Sequence, residues 1–114
     1  MRRRIFAVVI AVIALTAVPS FAQAETRKLK VDFDNMEDFY IAAEAGFSNY
    51  FRRYSPKVVS KDDEELIMVA KYGKHNVMCT FYQSKSQYFV TLETAFDRDR
   101  IKWLNNVVKN VEKQ

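Results

Sequence analysis

The sequence predicts an α+β fold: a mostly antiparallel sheet with two helices on one face, in the order β-α-β-β-β-α, behind a cleaved signal peptide. Three observations predict it. Five short runs either alternate apolar with polar residues or are rich in β-branched and aromatic ones, as strands are. In two longer runs the apolar residues recur every three or four positions, which is the period of a helix with one buried face. The gaps between the later strands are short enough for hairpins, so strands adjacent in sequence are expected to pair antiparallel.

Residues 1–24 fall into a basic start (Arg2, Arg3, Arg4), an apolar stretch from Ile5 to Leu15, a turn-prone end at Pro19 and Ser20, and then Ala22-Gln23-Ala24. Small residues spaced in this way suit signal peptidase after an apolar stretch of that length. The expected mature chain is residues 25–114, a single small α+β domain. With no other apolar segment long enough to span a bilayer, it is expected in the periplasm or secreted from a bacterium. The alternative is a retained anchor, because Ile5 to Ala22 approaches the roughly 20 apolar residues that a spanning helix needs. The residue directly after the cleavage point is Glu25 and not Cys, so lipid attachment there is not expected.

Composition narrows the functional classes. Of the 114 residues 49% are hydrophobic, so the chain has enough apolar material to collapse and disorder is not expected. The formal charge of +4 comes from 18 basic and 14 acidic side chains. Without Arg2, Arg3 and Arg4 the balance is 15 to 14, a net of +1, too little excess for a nucleic-acid binder. Cys79 is the one cysteine, so no intrachain disulfide forms. A small chain without disulfides depends on its core, and the aromatic residues after position 24 supply the area for one.

The first strand is expected at Arg27 to Asp34, where Leu29, Val31 and Phe33 face one way and Lys28, Lys30, Asp32 and Asp34 the other. Asp34 or Asn35 then caps a helix, with Glu37 or Asp38 in capping-box position. Met36, Phe39, Tyr40, Ala43, Phe47, Tyr50, Phe51 and Tyr54 form its apolar stripe, which ends before Ser55-Pro56. Lys57 to Ser60 is a short strand. Lys61-Asp62-Asp63-Glu64 is a charged hairpin tip without the length or central Gly of a calcium loop. Glu65 to Tyr72, Val77 to Gln83 and Tyr88 to Thr94 are three further strands, separated by Gly73-Lys74-His75-Asn76 and Ser84-Lys85-Ser86-Gln87. Asp97 or Asp99 caps a last helix whose stripe is Ile101, Leu104, Val107, Val108 and Val111, while Trp103 lies off that stripe, at the core edge or exposed.

If Tyr72 faces Val77, side-chain period two places Leu66, Met68, Ala70, Tyr72, Val77, Cys79, Phe81, Val90 and Leu92 on the helix-covered face. The opposite face then carries Ile67, Val69, Lys71, Met78, Thr80, Tyr82, Phe89, Thr91 and Glu93. A solvated sheet face should be mostly polar, and five of these nine are large apolar or aromatic residues. The expected function is therefore a non-catalytic binding module. Its surface is Ile67, Val69, Met78, Tyr82 and Phe89, with Lys71 and Glu93 as polar rim, and its partner is a protein, a second copy or an apolar small ligand.

The alternative is a small enzyme built on His75 and nearby carboxylates. His75 and Cys79 are poorly placed as a pair, since four residues of extended chain separate their Cα atoms by about 13 Å. One His and one Cys fall short of a zinc set with recognisable spacing. After residue 24 the only glycines are Gly46 and Gly73, so no Gly-rich phosphate loop exists. No metal or cofactor is expected. The basic cluster Arg52-Arg53, with Lys57 beyond it, reads as charges favoured at a helix C-terminus.

Overall fold

Alternation of the kind begun at Leu29 and Val31 needs a neighbouring strand to satisfy its backbone, and in this chain that neighbour comes from the far end of the sequence. A computed structural model describes residues 28–114. The segment expected as a signal peptide and the cleavage point before Glu25 lie outside the described residues. The elements are β1 (Lys28–Val31), α1 (Met36–Tyr50), a 3-10 turn (Arg52–Tyr54), β2 (Lys57–Lys61), β3 (Glu65–Tyr72), β4 (His75–Ser84), β5 (Gln87–Thr94) and α2 (Asp97–Glu112). The five strands make one sheet in the order β1-β5-β4-β3-β2, and every neighbouring pair is antiparallel. The described residues thus begin at one edge, cross through α1 to the other, and meander back.

β1 ends at Val31 rather than at Asp34 because its partner runs out. Val31 pairs with Tyr88, one residue after β5 begins. α1 starts where the capping pattern places it: Asn35 is the N-cap, and its Oδ1 accepts the Asp38 N–H at 2.8 Å. Its buried side is Phe39, Tyr40, Ala42, Ala43, Gly46 and Phe47. The regular helix stops at Tyr50 rather than at Tyr54. Phe51 leaves helical geometry, the chain tightens into the 3-10 turn, and Ser55 takes a left-handed conformation. Tyr54 therefore turns off the core stripe and is 37% exposed, with its ring 5.0 Å from that of Tyr72.

The first hairpin is tighter than expected. Tyr72 pairs with His75, not Val77, so the turn is Gly73-Lys74 and β4 begins two residues early. Gly73 makes this possible with φ +67, a conformation that costs glycine nothing. A shift of two residues preserves side-chain parity, so the two sheet faces keep their expected members. The second hairpin closes on Lys85-Ser86, both at positive φ as a two-residue turn of this kind requires, with Ser84 opposite Gln87. At the other tip, Asp62 Oδ1 accepts the N–H groups of Glu64 and Glu65, and the Tyr40 hydroxyl donates to the Asp62 carbonyl at 2.9 Å. Burial, with help from the Asp62, Glu65 and Asp63 carboxylates, pushes the Tyr40 hydroxyl up to about 12, so it remains a donor.

Both helices lie on one face, α1 against β3 and β4, and α2 against β5 and β1. Beneath them Leu66, Met68, Ala70, Val77, Cys79, Phe81, Val90 and Leu92 are buried. Tyr72, expected among them, is 36% exposed, because it sits at the end of β3 and is covered only by the rings of Tyr54, Phe96 and Trp103. Trp103 is buried at that core edge, against Phe51, Tyr72 and Phe96. Neither Asp97 nor Asp99 caps α2. Phe96 holds the N-cap position, its N–H donates to Thr94 Oγ1, and Arg100 bridges the Thr94 carbonyl and Asp97.

The two helices meet at Gly46. A Cβ there would lie 2.7 Å from the Val111 backbone nitrogen, closer than real atoms approach. Alanine is the better helix former by about 1 kcal/mol, yet Gly46→Ala is expected to lower stability, since overpacking of this kind costs about 1–3 kcal/mol. Urea unfolding measures the sign directly. A stabilised Gly46→Ala chain would mean that the helices do not cross there.

Candidate interaction surface

The register assigns every side chain of the other sheet face. Glu93, Met78, Val69 and Lys57 form one row from β5 to β2, because each pairs directly with the next. Lys28, Thr91, Thr80, Ile67 and Ser60 form the middle row, and Lys30, Phe89, Tyr82 and Glu65 the third. Ile67, Val69, Met78, Tyr82 and Phe89 surround Thr80 and Thr91, and the margins are charged. Both helices pack on the opposite face, and β1 joins the sheet at its edge, so it does not fold across this surface.

Ile67, Val69, Met78, Tyr82 and Phe89 are half-buried by one another and by their neighbours, while Lys71 and Glu93 are exposed at one end. Tyr82 and Phe89 are directly paired across β4 and β5 with ring centroids 5.7 Å apart. The Lys28 ammonium stands 4.5 Å over the Phe89 ring, a cation–π contact that draws one rim charge toward the aromatic pair. Burial raises the Tyr82 hydroxyl above its ordinary pKa, so at neutral pH it is a donor. The surface therefore offers apolar area, one phenolic hydroxyl and a mixed rim in which Lys28, Lys30, Lys57 and Lys71 stand beside Glu65, Glu93 and Asp32, the last 4.0 Å from the Lys30 ammonium.

The lysines of β1 and β2 escape a reading of the sequence. Their polarity is visible, but which sheet edge they border depends on pairings distant in sequence, Lys28 with Thr91 and Lys30 with Phe89 for β1 and Lys57 with Val69 for β2. The one local signal is the alternation of Lys28 and Lys30 with Leu29 and Val31, which puts both lysines on the face away from the core.

The residues of the alternative site are apart in character. Cys79 is fully buried in the core, and burial raises its thiol well above the ordinary value. It should resist alkylating reagents in the folded protein and react on unfolding, because the thiolate is the nucleophile. Rapid labelling of the native chain, followed by mass, would show that the core face is mispaired. His75 is exposed at the start of β4, edge-on to Phe96 at 5.2 Å, and among the described residues it pairs with no carboxylate. Among the described residues no three His, Cys, Asp or Glu side chains are grouped to hold a metal ion, and no helix is long and apolar enough to cross a membrane. No family model, curated protein or solved structure matches the chain.

Proposed function

We propose that this chain is an exported, non-catalytic binding module that captures a protein partner on the sheet face opposite its helices. The observation that carries the reading is the Tyr82–Phe89 pair, set among Ile67, Val69 and Met78 on a face that neither helix packs against. Contiguous apolar area of this kind marks contact sites, and aromatic residues are frequent centres of binding energy. Export rests on the three-part N-terminus that ends at Ala22-Gln23-Ala24.

The rim specifies the partner's chemistry. Four lysines against Glu65, Glu93 and Asp32 leave a small positive excess, which favours a contact surface that combines apolar area with a modest surplus of acidic groups. A photo-crosslinking residue at Thr80, in the centre of the face, tests this in intact cells. Adducts to one protein species are expected, and they should disappear when Tyr82 and Phe89 are both replaced by Ser. Adducts of twice the chain mass would identify self-association instead.

A further inference from the structure

A separate region has the features of a ligand site. Where α1 ends, Asn49, Tyr50, Arg52, Arg53 and Tyr54 meet Asn110 of α2 around an open cavity of about 400 Å³. No carboxylate lines it. Asn49 Nδ2 donates to Asn110 Oδ1 at 2.8 Å, Asn110 Nδ2 donates to the Asn106 carbonyl at 3.0 Å, and Asn106 Nδ2 donates to the Tyr50 hydroxyl at 3.0 Å. In this chain of bonds Tyr50 accepts, so its own proton is left for another acceptor. The Asn49–Asn110 bond also ties the two helices together, so the cavity is shaped only when both are docked.

Arg52 and Arg53 are exposed on the 3-10 turn, and among the described residues neither pairs with a carboxylate. A helix C-terminus attracts cations, but its dipole amounts to only about half an elementary negative charge. Two guanidiniums over that end leave a surplus of about +1.5. The helix end therefore accounts for part of the charge and not for the pair.

We propose that this cavity binds a phosphate group, held by the Arg52 and Arg53 guanidiniums with the Tyr50 hydroxyl as a third donor. Guanidinium presents a planar fork of donors that matches phosphate oxygens, and charge-assisted bonds of this kind are the strong ones. The volume lies at the lower end of small-molecule sites, about 300–1,000 Å³, which leaves room for an organic group beside the half-exposed Tyr54 ring. The ligand is thus free phosphate or a small phosphomonoester.

Amide-detected NMR of the full gene product, in the form the cell yields, tests the proposal with inorganic phosphate, a hexose phosphate, and chloride at matched ionic strength. Saturable shifts at Asn49, Arg52, Arg53 and Asn110 are expected with a phosphate-bearing probe and not with chloride. The tighter of the two phosphate probes identifies whether the site reads the bare ion or its ester. In Arg52→Gln/Arg53→Gln the apparent affinity should fall at least about tenfold, with the unliganded thermal midpoint unchanged. Should that variant misfold, Tyr50→Phe, which keeps the ring and removes the donor, should show the same direction of loss. Shifts equal in chloride, non-saturable, or undiminished in a folded variant overturn the proposal.

Discussion

Urea unfolding of Phe39→Ala is expected to show a loss of about 3–5 kcal/mol, the usual cost of emptying a buried phenylalanine site. Phe39 is fully buried, and its ring is the hub of the core: Phe33 lies at 5.4 Å, Tyr40 at 6.2 Å, Phe81 at 6.0 Å and Tyr88 at 5.0 Å. These neighbours come from α1, β4, β5 and the segment after β1, elements that cannot all move inward at once, so the cavity would stay open. Domains of this size hold only about 5–15 kcal/mol in total, so the variant should sit near the folding threshold. Ile41, two residues along the same helix and 63% exposed, provides the control. Ile41→Ala should change stability by no more than about 0.5 kcal/mol. A Phe39→Ala loss below about 1 kcal/mol would mean that α1 does not lie on the sheet through this residue.

The same comparison shows what a sequence can and cannot disclose here. The period of Phe39, Ala43 and Phe47 and the parity of Leu66, Met68 and Ala70 are local, and both survive into the fold. Parity survived even though Tyr72 pairs with His75, because a hairpin that closes two residues early turns no side chain over. Loop length was hidden, since Gly73-Lys74-His75-Asn76 suits a two-residue turn as well as a four-residue one. The end of α1 at Tyr50 was hidden too, because Phe51 and Tyr54 continue the helical spacing while the backbone changes geometry beneath them.

The candidate surface divides along the same line. Its apolar residues follow from alternation within β3, β4 and β5, whereas its charged margin needs the pairing of β1 with β5 and of β2 with β3. Arg52 and Arg53 were visible as a charge pair at a helix end. Their neighbour Asn110 comes from α2, 57 residues beyond Arg53, and no local pattern announces that contact.

Tyr82→Ser/Phe89→Ser is expected to leave the fold intact and to weaken partner capture by about two orders of magnitude or more. The two expectations rest on different terms. Within the monomer the pair is half-buried and lies outside the helix-covered core, so its cross-strand contact contributes only about 0.2–1 kcal/mol beyond the area the rings cover. The area that the rings already cover in the monomer is lost as well, so the thermal midpoint should fall further than the contact alone implies, while the helix-covered core holds the fold. In a complex the same rings would be sealed from water, and apolar area gains roughly 25 cal/mol for each Å² removed. Aromatic residues at the centre of an interface commonly cost 2 kcal/mol or more each when truncated.

The lysine rim supplies an independent arm. Lys30→Glu/Lys57→Glu touches no core contact, since both side chains are exposed at opposite edges of the sheet. It should slow capture of an acidic-rimmed partner and reverse the salt dependence, because rim charges act mainly on the rate of encounter. Thermal unfolding and crosslink yield on both variants separate the outcomes. If the serine variant unfolds outright, the pair is needed for the fold itself and is not a surface kept for a partner. If it stays folded and captures its partner undiminished, the face is ordinary surface, and the binding reading loses the residues it rests on.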